Sequence, residues 1–254
     1  MKGLLVPVLA ILAAEAAARL LGIRSDSLAA PSDAAVALWH GLADGSLLTA
    51  TGQTLGAALA GLALGGGLGL LAAAVTGLSP VAARLLSLPI QFLRPIPSVA
   101  LLPLALLVFG FGYRLEISVV AFACFWPVVI VGAAAVAQVE PTLLEVARIL
   151  RLGWPARVGK IVLPAALPRL FVAFRLAAGV ALIVAVTVEI ALNPFGLGYS
   201  MMEAQQMLRP ALMFAVLAWI GVLGWGLNRL LLLAQHRLFG PAAGTPPAAA
   251  GTLQ

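Results

Sequence analysis

"EVARILRLGWPARVGKIVLPAALPRL", Glu145 to Leu170, interrupts a chain that is otherwise almost entirely Ala, Leu, Val and Gly. Arg148, Arg151, Arg157, Lys160 and Arg169 fall within it, together with Trp154 and three prolines. A basic side chain at mid-bilayer costs roughly 2.5–3.5 kcal/mol on insertion scales, so four of them would cost on the order of 10 kcal/mol. Pro155 and Pro164 would also break a spanning helix. The stretch therefore stays in water while its surroundings do not. Pro141 can open a helix. Leu143, Leu144, Ala147 and Leu150 then share one stripe, opposite Glu145, Arg148 and Arg151. Glu145 and Arg148 form an i, i+3 pair of opposite sign. Gly153-Trp154-Pro155 reads as a turn. A second short helix follows, with Val158, Ile161 and Val162 opposed to Arg157 and Lys160, and Leu163-Pro164 stops it. Two short amphipathic helices at an elbow, carrying an apolar ridge, an exposed Trp154 and basic flanks, suit a partner protein. The same pair could instead rest on anionic headgroups.

Composition explains the surroundings. Of 254 residues, 63% are hydrophobic and 9% charged, where a soluble domain is about 45–50% apolar and about 25% charged. The reading is an all-α integral membrane protein. The net charge of +6 marks a cytoplasmic face rather than a nucleic-acid partner. One cysteine, Cys124, excludes an intrachain disulfide and argues against a Cys metal site. His40 and His236, on opposite sides of the membrane, make no metal site either.

Crossing the bilayer takes about 20 apolar residues. Six candidates fit: about Leu4–Leu21, Leu48–Leu78, Leu85–Phe109, Ile117–Val139, Leu170–Leu192 and Ala211–Ala234. Lys2 ahead of an apolar run and "AAEAAA" also fits a cleaved leader, but the run is long enough for a retained span. With the N-terminus inside, eleven of the fifteen Lys and Arg lie at the inner side and Arg19, Arg24, Arg114 and Arg209 outside. Both termini are then cytoplasmic. Residues 1–47 hold the first span and an outer interfacial helix, 48–236 the transmembrane core, and 237–254 a Pro/Gly/Ala-rich tail. In the interfacial helix Ser32 is the expected N-cap, Gly45 the stop, and Trp39 sits at headgroup depth. Along the second span Gly52 and Gly56, then Gly61, Gly65 and Gly69, recur at four-residue spacing and predict close helix packing. Trp126-Pro127 predicts a kink in the fourth span.

Charges inside a span are functional candidates. Glu189 and Asn193 lie near the outer end of the fifth span, and Arg94, flanked by Pro95 and Pro97, lies in the inner half of the third. Each has a structural alternative: an interfacial partner for Glu189, snorkelling for Arg94. "GWPARVGK", Gly153 to Lys160, imitates a phosphate loop, but it holds five residues between its glycines where four are needed, and Ile161 replaces the required Ser or Thr. No ATP site of the chain's own is expected.

Glu145-Val146-Ala147 followed by Ile161-Val162-Leu163-Pro164 resembles the EAA loop of ABC importer permeases, E-A-A, three residues, G, nine residues, I-x-L-P. Two positions depart: Val146 stands for the middle Ala, and Arg151 for the Gly, with Gly153 two places on, so the elbow is expected to turn slightly later. "PIQFLRPIPSVALLPLALLVFGFG", Pro89 to Gly112, and "VEIALNPFGLGY", Val188 to Tyr199, are similar to the nitrate/sulfonate/taurine branch. The resemblance implies a type I importer permease fold with the elbow as coupling helices, about 141–164. It implies an ATPase-coupling set of Glu145, Ala147, Arg148, Arg151, Gly153, Trp154, Arg157, Ile161, Leu163 and Pro164. It implies a second permease copy, two cytoplasmic ATPase subunits carrying ATP and Mg, an extracytoplasmic solute-binding protein, and the bacterial inner membrane. No cofactor is expected on this chain. The alternative is a self-contained secondary transporter, which would show paired internal repeats; none is visible.

Overall fold

The computed structural model describes residues 5–20 and 28–240, and the regular elements of these residues are helical. Expectations for Lys2, Arg24 and the tail after Gly240 lie outside the described residues.

Among the described residues, four helices are long and apolar enough to cross a membrane. They are α3 (Ser46–Leu78), α6 (Tyr113–Ala137), the continuous helix Val158–Ala191, and α11 (Pro210–Phe239). The expected third span is not one straight helix. It divides into α4 (Pro80–Leu93), a 3-10 turn (Ser98–Leu101) and α5 (Leu102–Phe109), bent by 81° at the break. Pro95 and Pro97 supply no backbone N–H, so the hydrogen-bond ladder of α4 cannot run on through them. Pro97 itself is extended, with ψ 125°. Taken as one broken span it makes a fifth. Helix α1 (Leu5–Leu20) has 16 residues, short of the ~20 that a straight crossing requires.

The centre of the fold is α3 against α6 and α6 against α9 (Leu163–Ala191). Small residues let them approach. A Cβ on Gly61 would lie 2.5 Å from Val120 Cγ1, on Gly65 2.0 Å from the Ala121 carbonyl oxygen, and on Gly69 2.9 Å from Val128 Cβ. Gly77 and Gly132 continue the seam against Val136 and Ala73. Gly52 and Gly56 do not belong to it, since nothing lies within 4 Å of a Cβ at either. Cys124 is buried in the core, its thiol 3.4 Å from the Ala177 carbonyl.

The interfacial helix is present as α2 (Pro31–Ala43), but its cap differs from the expectation. Ala30 is the N-cap and Pro31 the first helical residue, which places Ser32 inside the first turn. The Ser32 N–H donates to Glu15 of α1 at 3.0 Å, and Arg19 pairs with the same carboxylate. A carboxylate from another helix thus does the capping that a local Ser was expected to do. Gly45, with φ +81°, ends the turn into α3 as predicted. Asp44, in that turn, has its carboxyl held below the usual range by hydrogen bonds from Ser46.

Candidate functional site

The elbow begins with α7 (Pro141–Ile149). Ala147 is its buried contact, while Leu143, Val146, Ile149 and Leu150 are 37%, 42%, 80% and 62% exposed. Glu145 is exposed beside them. The side chains of Leu144, Arg148 and Trp154 lie outside the described residues, and with them the expected Glu145–Arg148 pair and the exposed indole.

The turn after α7 does not come late. Arg151 occupies the left-handed region, φ +49°, and the Leu152 N–H donates to the Ala147 carbonyl at 3.0 Å. This is a helix end of the Schellman kind, with its left-handed residue at the position where the resembled pattern has Gly. Arginine accepts there a conformation that glycine adopts without steric cost.

The second elbow helix also differs from the expectation. Leu163-Pro164 does not stop it. Helix α8 (Trp154–Arg157) passes through a π turn (Val158–Val162) directly into α9. Pro164 falls in the first turn of α9, where its missing N–H is tolerated, and the wider π turn joins the two, with the Leu163 N–H reaching back to the Val158 carbonyl. Ile161 is half-buried, Leu163 and Pro164 are exposed, and Gly153 accepts the Arg157 N–H at 2.9 Å. Arg157 keeps a buried Nε that no acceptor reaches among the described residues.

At the far end of α9 from the elbow, Glu189 and Asn193 are enclosed, 0% and 1% exposed. The Glu189 carboxylate accepts the Gly198 N–H at 2.8 Å. Asn193 donates to Glu116 at 2.7 Å and accepts the Gly112 N–H at 3.0 Å. Gln53 and Thr54 of α3 accept the N–H groups of Gly196 and Leu197 at 3.0 and 2.9 Å. Five side chains thus tie α3, α6 and α9 to the loop that opens α10 (Leu197–Gln206). Sequence reading had singled out two of them. Gln53 and Thr54 were legible as polar residues in an apolar span, but Glu116, fully buried, was not singled out.

Arg94 sits in the break between α4 and α5 and is exposed. It lines a cavity of about 330 Å³ with Ile96, Ser98, Phe122, Trp126 and Val180.

Residues 65–242 match the family described as "Binding-protein-dependent transport system inner membrane component". This chain belongs to that family. It is 31% identical over 238 residues to the "Putative aliphatic sulfonates transport permease protein SsuC" of Bacillus subtilis, covering 94% of this chain and 86% of that one. It is 29% identical to the "Nitrate import permease protein NrtB" of Synechococcus elongatus over 69% of this chain and 61% of the other. Its fold is like that of a chain in the "Crystal structure of an amino acid ABC transporter with histidines", TM-score 0.62 at 21% identity, covering 76% of this chain and 94% of that one. A chain of the "MetNI methionine ABC transporter" gives TM-score 0.60 at 19% identity over 74% and 94%. The permease therefore belongs with the ABC permeases of the sulfonate, nitrate and bicarbonate branch, as its elbow and outer loop had suggested.

Proposed function

We propose that this permease forms, with a second copy of itself, the translocation pathway of an ATP-driven importer in the bacterial inner membrane. Both termini are cytoplasmic. Two separate ATPase subunits, carrying ATP and Mg, grip the elbow, and an extracytoplasmic binding protein delivers a small solute such as a sulfonate, nitrate or taurine. The permease itself is not an enzyme and holds no cofactor. The observation that carries this reading is α7: a short helix on the basic face that buries Ala147 and leaves Val146, Ile149 and Leu150 uncovered beside Glu145. An uncovered apolar ridge with a charged neighbour and the unpartnered Nε of Arg157 has the composition of a protein interface. Closure of the ATPases on ATP draws the two elbows together, and the spans rock from inward- to outward-facing as the better-bound state is populated.

Glu145→Ala tests the reading. Glu145 is exposed, so the fold should change by no more than about 0.5 kcal/mol. At an interface, leaving its partner charge unpaired costs about 2–5 kcal/mol. Trp154→Ala removes a large anchor in the same way. Both variants should insert and dimerise normally yet lose the ATPase subunits in a pull-down, with ATP-stimulated transport lost in parallel. Full ATPase retention and full transport in both would make the elbow a membrane-surface helix pair.

A further inference from the structure

The cavity at the broken span combines features that the coupling reading does not use. Trp126 is 8% exposed, yet its Nε1–H has no acceptor among the described residues. A buried donor left without a partner is costly in a folded protein and calls for an occupant. The indole lines the same cavity as the Arg94 guanidinium and the Ser98 hydroxyl. Arg94 enters no ion pair among the described residues. The polar side chains of the lining are thus a cation, an N–H and an O–H, and no carboxylate lines the space. That set recognises an anion and disfavours a cation.

Depth excludes a lipid phosphate as the occupant. Trp126 lies midway along the 25 residues of α6, roughly 16–20 Å from either end at the helical rise. Val180 lies similarly deep in α9. Non-helical backbone at such depth is tolerated where it is buried or lines a cavity, and the Arg94–Pro97 break is beside this one. The remaining walls, Ile96, Phe122 and Val180, are apolar, and 330 Å³ is several times what a bare triatomic or tetra-atomic oxyanion fills.

We propose that this cavity is a station on the transport path for a small organic oxyanion, with its charged head on Arg94, Ser98 and the Trp126 N–H and its carbon tail against Ile96, Phe122 and Val180. This names the substrate class of the permease reading and rests on it only for the word transport; binding by the purified permease is independent of any ATPase.

The experiment is direct binding of radiolabelled ethanesulfonate to the purified full-length permease in phosphatidylcholine nanodiscs at constant ionic strength. Saturable binding is expected, displaced by propanesulfonate better than by methanesulfonate, with up to about fourfold gained per added methylene. Nitrate should compete weakly and propylammonium not at all. Arg94→Gln and Trp126→Phe should each weaken binding about tenfold or more, the scale of one charge-assisted or buried hydrogen bond. Arg84→Gln, an exposed basic residue of α4 remote from the cavity lining, should leave it unchanged. Absence of saturable binding, equal competition by propylammonium, or wild-type affinity in both cavity variants would overturn the proposal. A failure of the importer reading would show differently, as a permease that binds ethanesulfonate but captures no ATPase subunit.

Discussion

Replacing Gly65 by alanine puts a methyl group where α6 already runs. Its Cβ would lie 2.0 Å from the Ala121 carbonyl oxygen and 2.7 Å from Ala121 Cα, against the 3.4 Å at which ordinary contact begins. The obstacle is backbone, so no rotamer change relieves it; α3 and α6 must move apart. Overpacking of this kind costs about 1–3 kcal/mol, and a rigid obstacle places Gly65→Ala at or above the upper end. Gly61→Ala meets instead the Val120 side chain at 2.5 Å. Trimming that neighbour should therefore rescue one variant and not the other. Gly61→Ala with Val120→Gly, which removes both the Cγ1 at 2.5 Å and the Cβ at 2.6 Å, should be more stable than the two single losses predict, by about 0.5–3 kcal/mol of coupling. Gly65→Ala with Ala121→Gly should show no such rescue, because the carbonyl remains. Gly67→Ala, two residues from Gly65 with nothing within 4 Å, should be neutral or gain up to about 1 kcal/mol of helix propensity. Thermal unfolding of the purified permeases in one detergent, followed by tryptophan fluorescence, provides the ranking. If Gly65→Ala melts with Gly67→Ala, or if Ala121→Gly rescues it, α3 and α6 do not touch as described.

Three further outcomes are expected. Arg151→Gly relieves a left-handed φ of +49° and should stabilise the elbow by about 1 kcal/mol, seen as slower proteolysis of the 141–164 segment; faster cleavage would contradict the helix-end geometry. Gly196→Ala combines φ +91° with a Cβ 2.0 Å from Glu189 Oε1, and should destabilise the outer loop more than any single glycine replacement at Gly52, Gly56 or Gly67, measured by hydrogen exchange of residues 193–200. Glu189→Ala leaves the buried Gly198 N–H without its acceptor and should cost about 1–3 kcal/mol in the same melting assay, while Glu203→Ala, in α10, should not shift the midpoint.

The helical membrane class was legible because charge is so scarce that its one concentration, Arg148 to Arg169, had to be excluded from the bilayer. The glycine seam was legible in part. Four-residue spacing identifies a face, yet it cannot say what lies opposite, so Gly52 and Gly56 looked like Gly61, Gly65 and Gly69. Proline was the least transparent residue. Pro164 was expected to stop a helix and instead sits within one, because a first turn and a π turn absorb its missing donor. Pro95 and Pro97 were noted beside Arg94 and did break the chain, but an apolar window has no direction and cannot report an 81° bend. The outer cluster needed tertiary contact to appear: Gln53 and Gly196 are 143 residues apart, and Glu116 and Asn193 77.

The uninterrupted helix from Trp154 to Ala191 behaves as a beam with a load at each end. At 1.5 Å per residue its 38 residues extend ~57 Å. Tilted by about 10° around its midpoint, where Ala173 is held in the core, the beam swings each tip about 5 Å in opposite directions. One tip belongs to the elbow, the surface proposed above to meet the ATPase. The other carries Glu189, whose carboxylate holds the Gly198 amide at 2.8 Å, so a displacement far smaller than that swing breaks the bond unless α10 travels with it. The soft place is the π turn, next to the driven tip. Beyond it the rod is stiff, and what is pushed at the elbow must be delivered, reversed in direction, at the Glu189 end.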